Sequence, residues 1–217
     1  MKKFLATCLL SSALMAGAAQ SAPLVSVIGG TDVTLPVCCG TGAYNPTPAT
    51  AGANPGDTAS NTNAVGEGLT LDGAATAIFT FLGKEAGFVN VLFQGVNLFD
   101  NTDPVGSTSG PLAVSPVGGF LPFSFLSDGT VELANGGITA AFGSIAFIIL
   151  SVTENTASVL ALLNDHFEGD ADYDDMVVRI DLVRSGNIDV PLPAGLLLLL
   201  SGLAGLGFVG RSRAKNA

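Results

Sequence analysis

Between residues 69 and 183 the chain alternates short β-branched and aromatic runs with breaks rich in Gly, Pro, Ser and Asp, and no long amphipathic helix can be drawn through it. Such runs, bounded by turn formers, fold as strands, and strands joined by short turns pair antiparallel. The expected fold class is therefore all-β, an antiparallel β-sandwich or jelly roll, with its body at residues 69–189.

The individual segments follow from composition. Ala77–Leu82 is β-branched and aromatic, residues 83–86 read as a turn, and Phe88–Phe93 and Val96–Phe99 return, with a bulge expected at Gly95. Phe120–Leu126 and Thr130–Leu133 flank Ser127, Asp128 and Gly129, a hairpin with an Asp-Gly turn. Ile145–Leu150 is apolar but too short to span a bilayer, which makes it a buried strand. Val159–Leu163 and Met176–Val183 close the body, and in the last Met176, Val178, Ile180 and Leu182 share a face opposite Arg179 and Asp181. Upstream, residues 23–68 form a loop-rich, low-complexity region. Leu24–Ile28 is its one strand, and Gly40–Gly68 offers so little to bury that it reads as an extended loop.

Both ends are apolar. Lys2 and Lys3 precede an apolar stretch from Phe4 to about Ala19, the pattern of a signal peptide over residues 1–19 that signal peptidase removes after Ala19. At the other end, residues 190–217 begin with Val190, Pro191, Leu192, Pro193 and Ala194. Ala194–Gly210 then carries no charge, and those 17 residues make a transmembrane helix of roughly 25 Å. Arg211, Arg213 and Lys215 follow as a stop-transfer signal that stays on the cytoplasmic side. Pro191 and Pro193 bar a helix before that span and keep the segment extended at the membrane surface.

The order V-P-L-P-A, Leu/Gly-rich span, basic end resembles the VPLPA-CTERM variant of the PEP-CTERM sorting signal. The resemblance implies that an exosortase-like membrane protease recognises the Pro motif and removes the tail as the protein reaches the surface of a Gram-negative bacterium. An ordinary single-pass C-terminal anchor is the alternative. Phe79–Asn90 is similar to the first hairpin of one group of PEP-CTERM surface proteins, and Asn164–Ile180 to that group's acidic stretch running into a final strand. The implied itinerary is export across the inner membrane, a single-pass C-terminal anchor before processing, then the cell surface or extracellular space.

Charge fits that address. Residues 23–189 hold all 18 acids and three bases (Lys84, Arg179, Arg184), a formal charge of −15. Such a body repels nucleic acid and attracts divalent cations. Asp165, Glu168, Asp170, Asp172, Asp174 and Asp175 place six carboxylates in eleven residues. Hard oxygens at this spacing suit Ca²⁺, and Asp165, Asp170, Asp172, Asp174 and Asp175 are the candidate ligands. Asp170, Asp172 and Asp174 copy the first half of an EF-hand loop, with Asp181 where its closing carboxylate would fall. Asp175 stands where that loop needs Gly, and a strand follows where a helix should. A solvated acidic loop is the other reading.

Catalysis finds no support. The single histidine, His166, sits within the acid run, and no G-x-S-x-G elbow or nucleotide motif occurs. Lys84 and Glu85 read as turn charges. Cys38 and Cys39 are adjacent, with Cα atoms about 3.8 Å apart, below the usual disulfide minimum of about 4.4 Å. Strained or intermolecular bonding and two inert thiols both stay open for that pair. The expected protein is not an enzyme. It is a surface or matrix protein with a structural or biofilm-associated role among exopolysaccharide, or else a membrane-held, calcium-dependent carbohydrate-binding (lectin-like) module.

Overall fold

The computed structural model describes residues 22–36, 46, 52–85, 87–128, 131–137, 143–165 and 172–186. The signal-peptide segment, the Cys38–Cys39 pair and the whole tail from 190 lie outside them. Thirteen strands and no helix occur among the described residues: β1 (Val25–Ile28), β2 (Thr31–Thr34), β3 (Thr58–Thr62), β4 (Gly68–Leu71), β5 (Ala75–Gly83), β6 (Asn90–Phe93), β7 (Asn97–Asp100), β8 (Leu112–Val114), β9 (Ser124–Ser127), β10 (Val131–Ala134), β11 (Ser144–Val152), β12 (Thr156–Asn164) and β13 (Met176–Arg184). No helix among the described residues is long and apolar enough to cross a membrane.

Every strand pairing is antiparallel. The strands form a seven-stranded sheet in the order β2-β3-β11-β12-β13-β5-β8, a four-stranded sheet β10-β9-β6-β7 and a two-stranded ribbon β1-β4. The all-β expectation therefore holds.

The period of two along the long strands explains the packing. Ala157, Val159, Ala161 and Leu163 of β12, Met176, Val178, Ile180 and Leu182 of β13, and Ala75, Ala77, Phe79 and Phe81 of β5 enter one cluster with Leu92, Phe99, Phe125 and Leu133 from the four-stranded sheet. Phe123 packs at its centre, its ring 5.9 to 6.3 Å from those of Phe125, Phe79 and Phe147. The alternate residues Leu160, Leu162, Val177 and Ala146 face the other way, into a second cluster with Leu35, Ala53, Ala59 and Tyr173. Cover on both faces is why β12 and β13 read as nearly unbroken apolar runs. By contrast, β11 is buried only over Ser144–Phe147 and exposes Ile149, Leu150 and Val152, so the expected buried strand at Ile145–Leu150 is buried in its first half alone.

Two expectations are corrected. Residues 77–93 are not a hairpin. β5 pairs with β13 and β8, while β6 pairs with β7 and β9, so the turn after Gly83 carries the chain from one sheet to another. Both segments have strand composition, but which neighbour each meets is a long-range matter. Nor is residues 40–68 all loop. β3 lies between β2 and β11, with Ala59 buried and the Thr62 hydroxyl donating to the Ile145 carbonyl at 2.9 Å. Thr-Ala-Ser-Asn-Thr brings little apolar surface, and its place is secured by backbone pairing on both sides. The bulge expected at Gly95 lies elsewhere: the register shifts between Leu92 and Phe93, while Gly95 takes φ 73° in the β6–β7 turn. The Asp-Gly hairpin forms as β9 and β10, Asp128 taking φ 49°.

At the end of β13, Arg184 stitches two loops to the strand. Its Nε donates to the Glu154 carbonyl (2.8 Å), and its guanidinium reaches both the carbonyl and the carboxylate of Asp72. Asp72 is more than half exposed, so the ion pair itself counts for little and the backbone acceptors matter more. Arg184→Ala is expected to cost about 1–2 kcal/mol, read as a lower urea midpoint at unchanged slope.

Candidate functional site

The β12–β13 connection carries the acids. The two strands are in register up to Leu163 opposite Met176, so the chain leaves the sheet at Asn164 and re-enters at Met176. Of the residues between, 165 and 172–175 are described, and they are not solvated. Asp165 is 7 % exposed, Asp172 3 %, Asp174 0 % and Asp175 7 %. Four buried aspartates within one connection are unusual, because a carboxylate gives up strong hydration on burial.

Local sequence explains how they get there. Tyr173 adopts φ 64°, a left-handed turn between two aspartates, and its ring joins the second core cluster. Burial pushes the Tyr173 hydroxyl's pKa up. The loop is held from below by Gly143, at φ 149°, where a Cβ would stand 2.5 Å from the Asn164 carbonyl oxygen. From the side, the Glu85 amide donates to the Asp174 carbonyl at 2.7 Å. Glu85, expected to be only a turn charge, thus fastens the sheet-crossing turn to the acidic loop.

Inside, the Asp165 amide donates to Asp175 Oδ2 at 2.8 Å, and the Asn90 side-chain amide donates to Asp165 Oδ2 at 2.7 Å. Asn90, at the head of β6, is fully buried and pinned by its neighbours. Its amide meets Asn101 Oδ1 at 3.2 Å, and Asn101 in turn donates to the Phe88 carbonyl. Among the described residues its own Oδ1 has no hydrogen-bond partner. Burial, offset by the Asp165 amide and reinforced by the charges of Asp165, Asp172 and Asp174, pushes the Asp175 carboxyl up to about 8.

The structure thus brings together Asp165, Asp172, Asp174 and Asp175 of the expected ligands. Asp170, with Glu168 and His166, lies outside the described residues. Asp181 is not part of the cluster. It stands on the outer face of β13, accepting from Arg179 Nε (2.8 Å) and the Ser158 hydroxyl (2.7 Å), so the EF-hand comparison ends at Asp174. Among the described residues no group of three or more His, Cys, Asp or Glu side chains is placed so that it could hold a metal ion. Asn90 escaped the sequence reading. Its one signal was a polar residue opening the apolar run Asn-Val-Leu-Phe, which says nothing about a loop 75 residues away.

An open groove of about 550 Å³ is lined by Phe81, Lys84, Glu85, Asn101, Thr102, Asp103 and Val105, and none of the clustered aspartates is among its lining residues. The sorting residues Val190 to Ala194 and the basic residues Arg211, Arg213 and Lys215 lie outside the described residues. No protein-family model matches this chain, and neither a curated protein nor a solved structure is found to be similar to it.

Proposed function

We propose that this chain is an exported bacterial surface or matrix protein, an acidic β-sandwich delivered by its two apolar ends and sorted by an exosortase-like protease. What supports the reading is where the compact β unit falls. It spans Ala22–Asn187, the stretch between the two apolar ends, and both core clusters draw their side chains from Leu24 to Leu182. A β unit that falls between the two apolar ends fits a body for which those ends serve as address labels. The sandwich assignment rests on the shared core, where one face of the seven-stranded sheet and the four-stranded sheet contribute to a single cluster. In this reading the role is structural, among exopolysaccharide at the cell surface, and no catalytic activity is assigned.

Mass spectrometry of cell-associated and released protein tests it. The expected mature form starts after Ala19 and ends near Val190–Ala194. Recovery with the leucine-rich tail intact reduces the tail to a plain membrane anchor, and an intact first residue on cytosolic protein removes the proposal.

The second reading, a calcium-dependent carbohydrate-binding module, draws on the groove lined by Lys84, Glu85 and Asn101. Its amide, carboxylate and hydroxyl groups (Asn101, Asp103, Glu85, Thr102) are the kind that pair with vicinal sugar hydroxyls. Glycan-array signal that disappears in chelator selects this reading, and a blank array in millimolar Ca²⁺ selects the structural one.

A further inference from the structure

The outer face of the four-stranded sheet carries a cleft of its own. Because Leu92, Phe125 and Leu133 point into the core, their neighbours Phe93, Ser124 and Ala134, aligned across β6, β9 and β10, stand on the opposite face. With Gln94 and Glu132 they line an open cleft of about 260 Å³. Phe120 forms another wall, and the backbone holds it in place. Val117 and Phe120 exchange both amide–carbonyl bonds (2.9 and 3.0 Å) across Gly118 and Gly119, whose φ of 60° and 91° suit a two-residue hairpin turn. On either side of Phe120, the Leu71 amide donates to the Gly119 carbonyl and the Leu121 amide to the Leu69 carbonyl, each at 3.0 Å. The ring itself lies against Gly136, where a Cβ would stand 2.5 Å from it. An aromatic ring fixed in this way loses little freedom when something packs on it.

The lining selects a guest by its chemistry. Two phenyl rings offer apolar surface, while a carboxylate, a carboxamide and a hydroxyl (Glu132, Gln94, Ser124) offer hydrogen bonds. None of the body's three bases lines the cleft, and residues 23–189 carry −15, so phosphates and acidic sugars are repelled. A wholly apolar guest would take Glu132 out of water with nothing to pair it. A sugar ring meets both demands, since its C–H face packs on phenyl while its hydroxyls bond the carboxylate and the amide. We propose that this cleft binds one sugar residue of a polysaccharide free of acid groups, with Phe120 and Phe93 against its C–H faces and Glu132 and Gln94 on its polar rim. No metal ion is needed, which separates the cleft from the calcium-dependent groove. Neutral and amino-bearing sugars share this chemistry, and Glu132 tells them apart, accepting from hydroxyls of the first and pairing with the ammonium of the second. The inference rests on the surface reading only for where the polymer is met.

Affinity electrophoresis and titration calorimetry of the full chain, in mild detergent with chelator present, test it against dextran, galactomannan, chitosan oligomers and polygalacturonate. The expected result is binding to a neutral polymer or to chitosan, and none to polygalacturonate. Phe120→Ala should weaken that binding about tenfold or more. Glu132→Gln should weaken it several-fold for a neutral polymer and about tenfold or more for chitosan. Glu132 is exposed, so its variant keeps the test open should Phe120→Ala fail to fold. Lys84→Ala, in the other groove, should change nothing. No binding to any of the first three polymers overturns the proposal, as does a preference for polygalacturonate. So does affinity unchanged in both Phe120→Ala and Glu132→Gln, or lost in Lys84→Ala, since each places the sugar elsewhere. A dimer in sedimentation velocity that Phe120→Ala dissolves would assign the cleft, with exposed Val96 and Val117, to a second copy instead. A correctly trimmed surface protein that binds no polymer sinks this inference alone, and a retained tail leaves it standing.

Discussion

Asn135→Leu should remove about 4 kcal/mol of stability, the largest loss expected from any polar substitution in the body. Asn135 ends the β9–β10 hairpin, yet its side chain serves two other segments. Its Oδ1 accepts from the Leu69 amide, and its Nδ2 donates to the carbonyls of Leu69 and Leu121, each at 2.8 Å. One carboxamide thereby bonds three buried backbone groups and joins the two-stranded ribbon to the segment that leads into β9. Leucine fills the volume but strands the Leu69 amide and the Leu121 carbonyl, at positions where both residues are fully buried, while the Leu69 carbonyl keeps the Leu121 amide at 3.0 Å. Each orphan costs about 1–3 kcal/mol, and domains of this size hold only about 5–15 kcal/mol in total. Gly68 is part of the same device, for a Cβ there would lie 2.3 Å from Asn135 Oδ1. Urea unfolding of the variant is the measurement, and a loss under about 1 kcal/mol would show that water serves those groups equally well.

The second large effect is a fall in stability as pH rises, measured in chelator. Asp175 has a carboxyl raised from 3.8 to about 8, first by burial and then by the neighbouring charges of Asp165, Asp172 and Asp174. Its folded pKa lies above its unfolded one, so its contribution is complete below about pH 4. It is lost as pH climbs toward 8 and flat beyond. Within that window the unfolded chain gives up a proton that the folded chain keeps, at about 1.4 kcal/mol per pH unit. Over the window the loss amounts to several kcal/mol, opposite in sign to the usual behaviour of a salt-bridged aspartate. Asp175→Asn retains an acceptor for the Asp165 amide and cannot ionise. It should flatten the slope and melt higher than the parent at pH 8. Parallel melting temperatures for the two proteins from pH 5 to 8 would refute the assignment.

Several particulars show how much of this was legible in the chain. Met176, Val178, Ile180 and Leu182 revealed the buried face of β13, because a period of two is a local property. The Asp128 turn was equally local, since residues that tolerate a left-handed backbone are few. The β5–β6 hairpin was misread for the converse reason. Composition shows that two segments are strands, while partner choice is settled by the sheet each one completes. β3 was passed over because Thr-Ala-Ser-Asn-Thr has almost no hydrophobic signal, and pairing between β2 and β11 supplies what its side chains do not.

By itself the sequence determined the all-β class, the turns, the acidic charge of the body and the aspartates that crowd before its last strand, all properties of neighbours in the chain. Only the tertiary structure decided that those aspartates are buried, that Asp181 turns away from them, and that Asn90 and Glu85 reach them from the other side of a sheet crossing. Burial and partnership arise when distant segments exclude water together, and no window along the chain contains both segments at once.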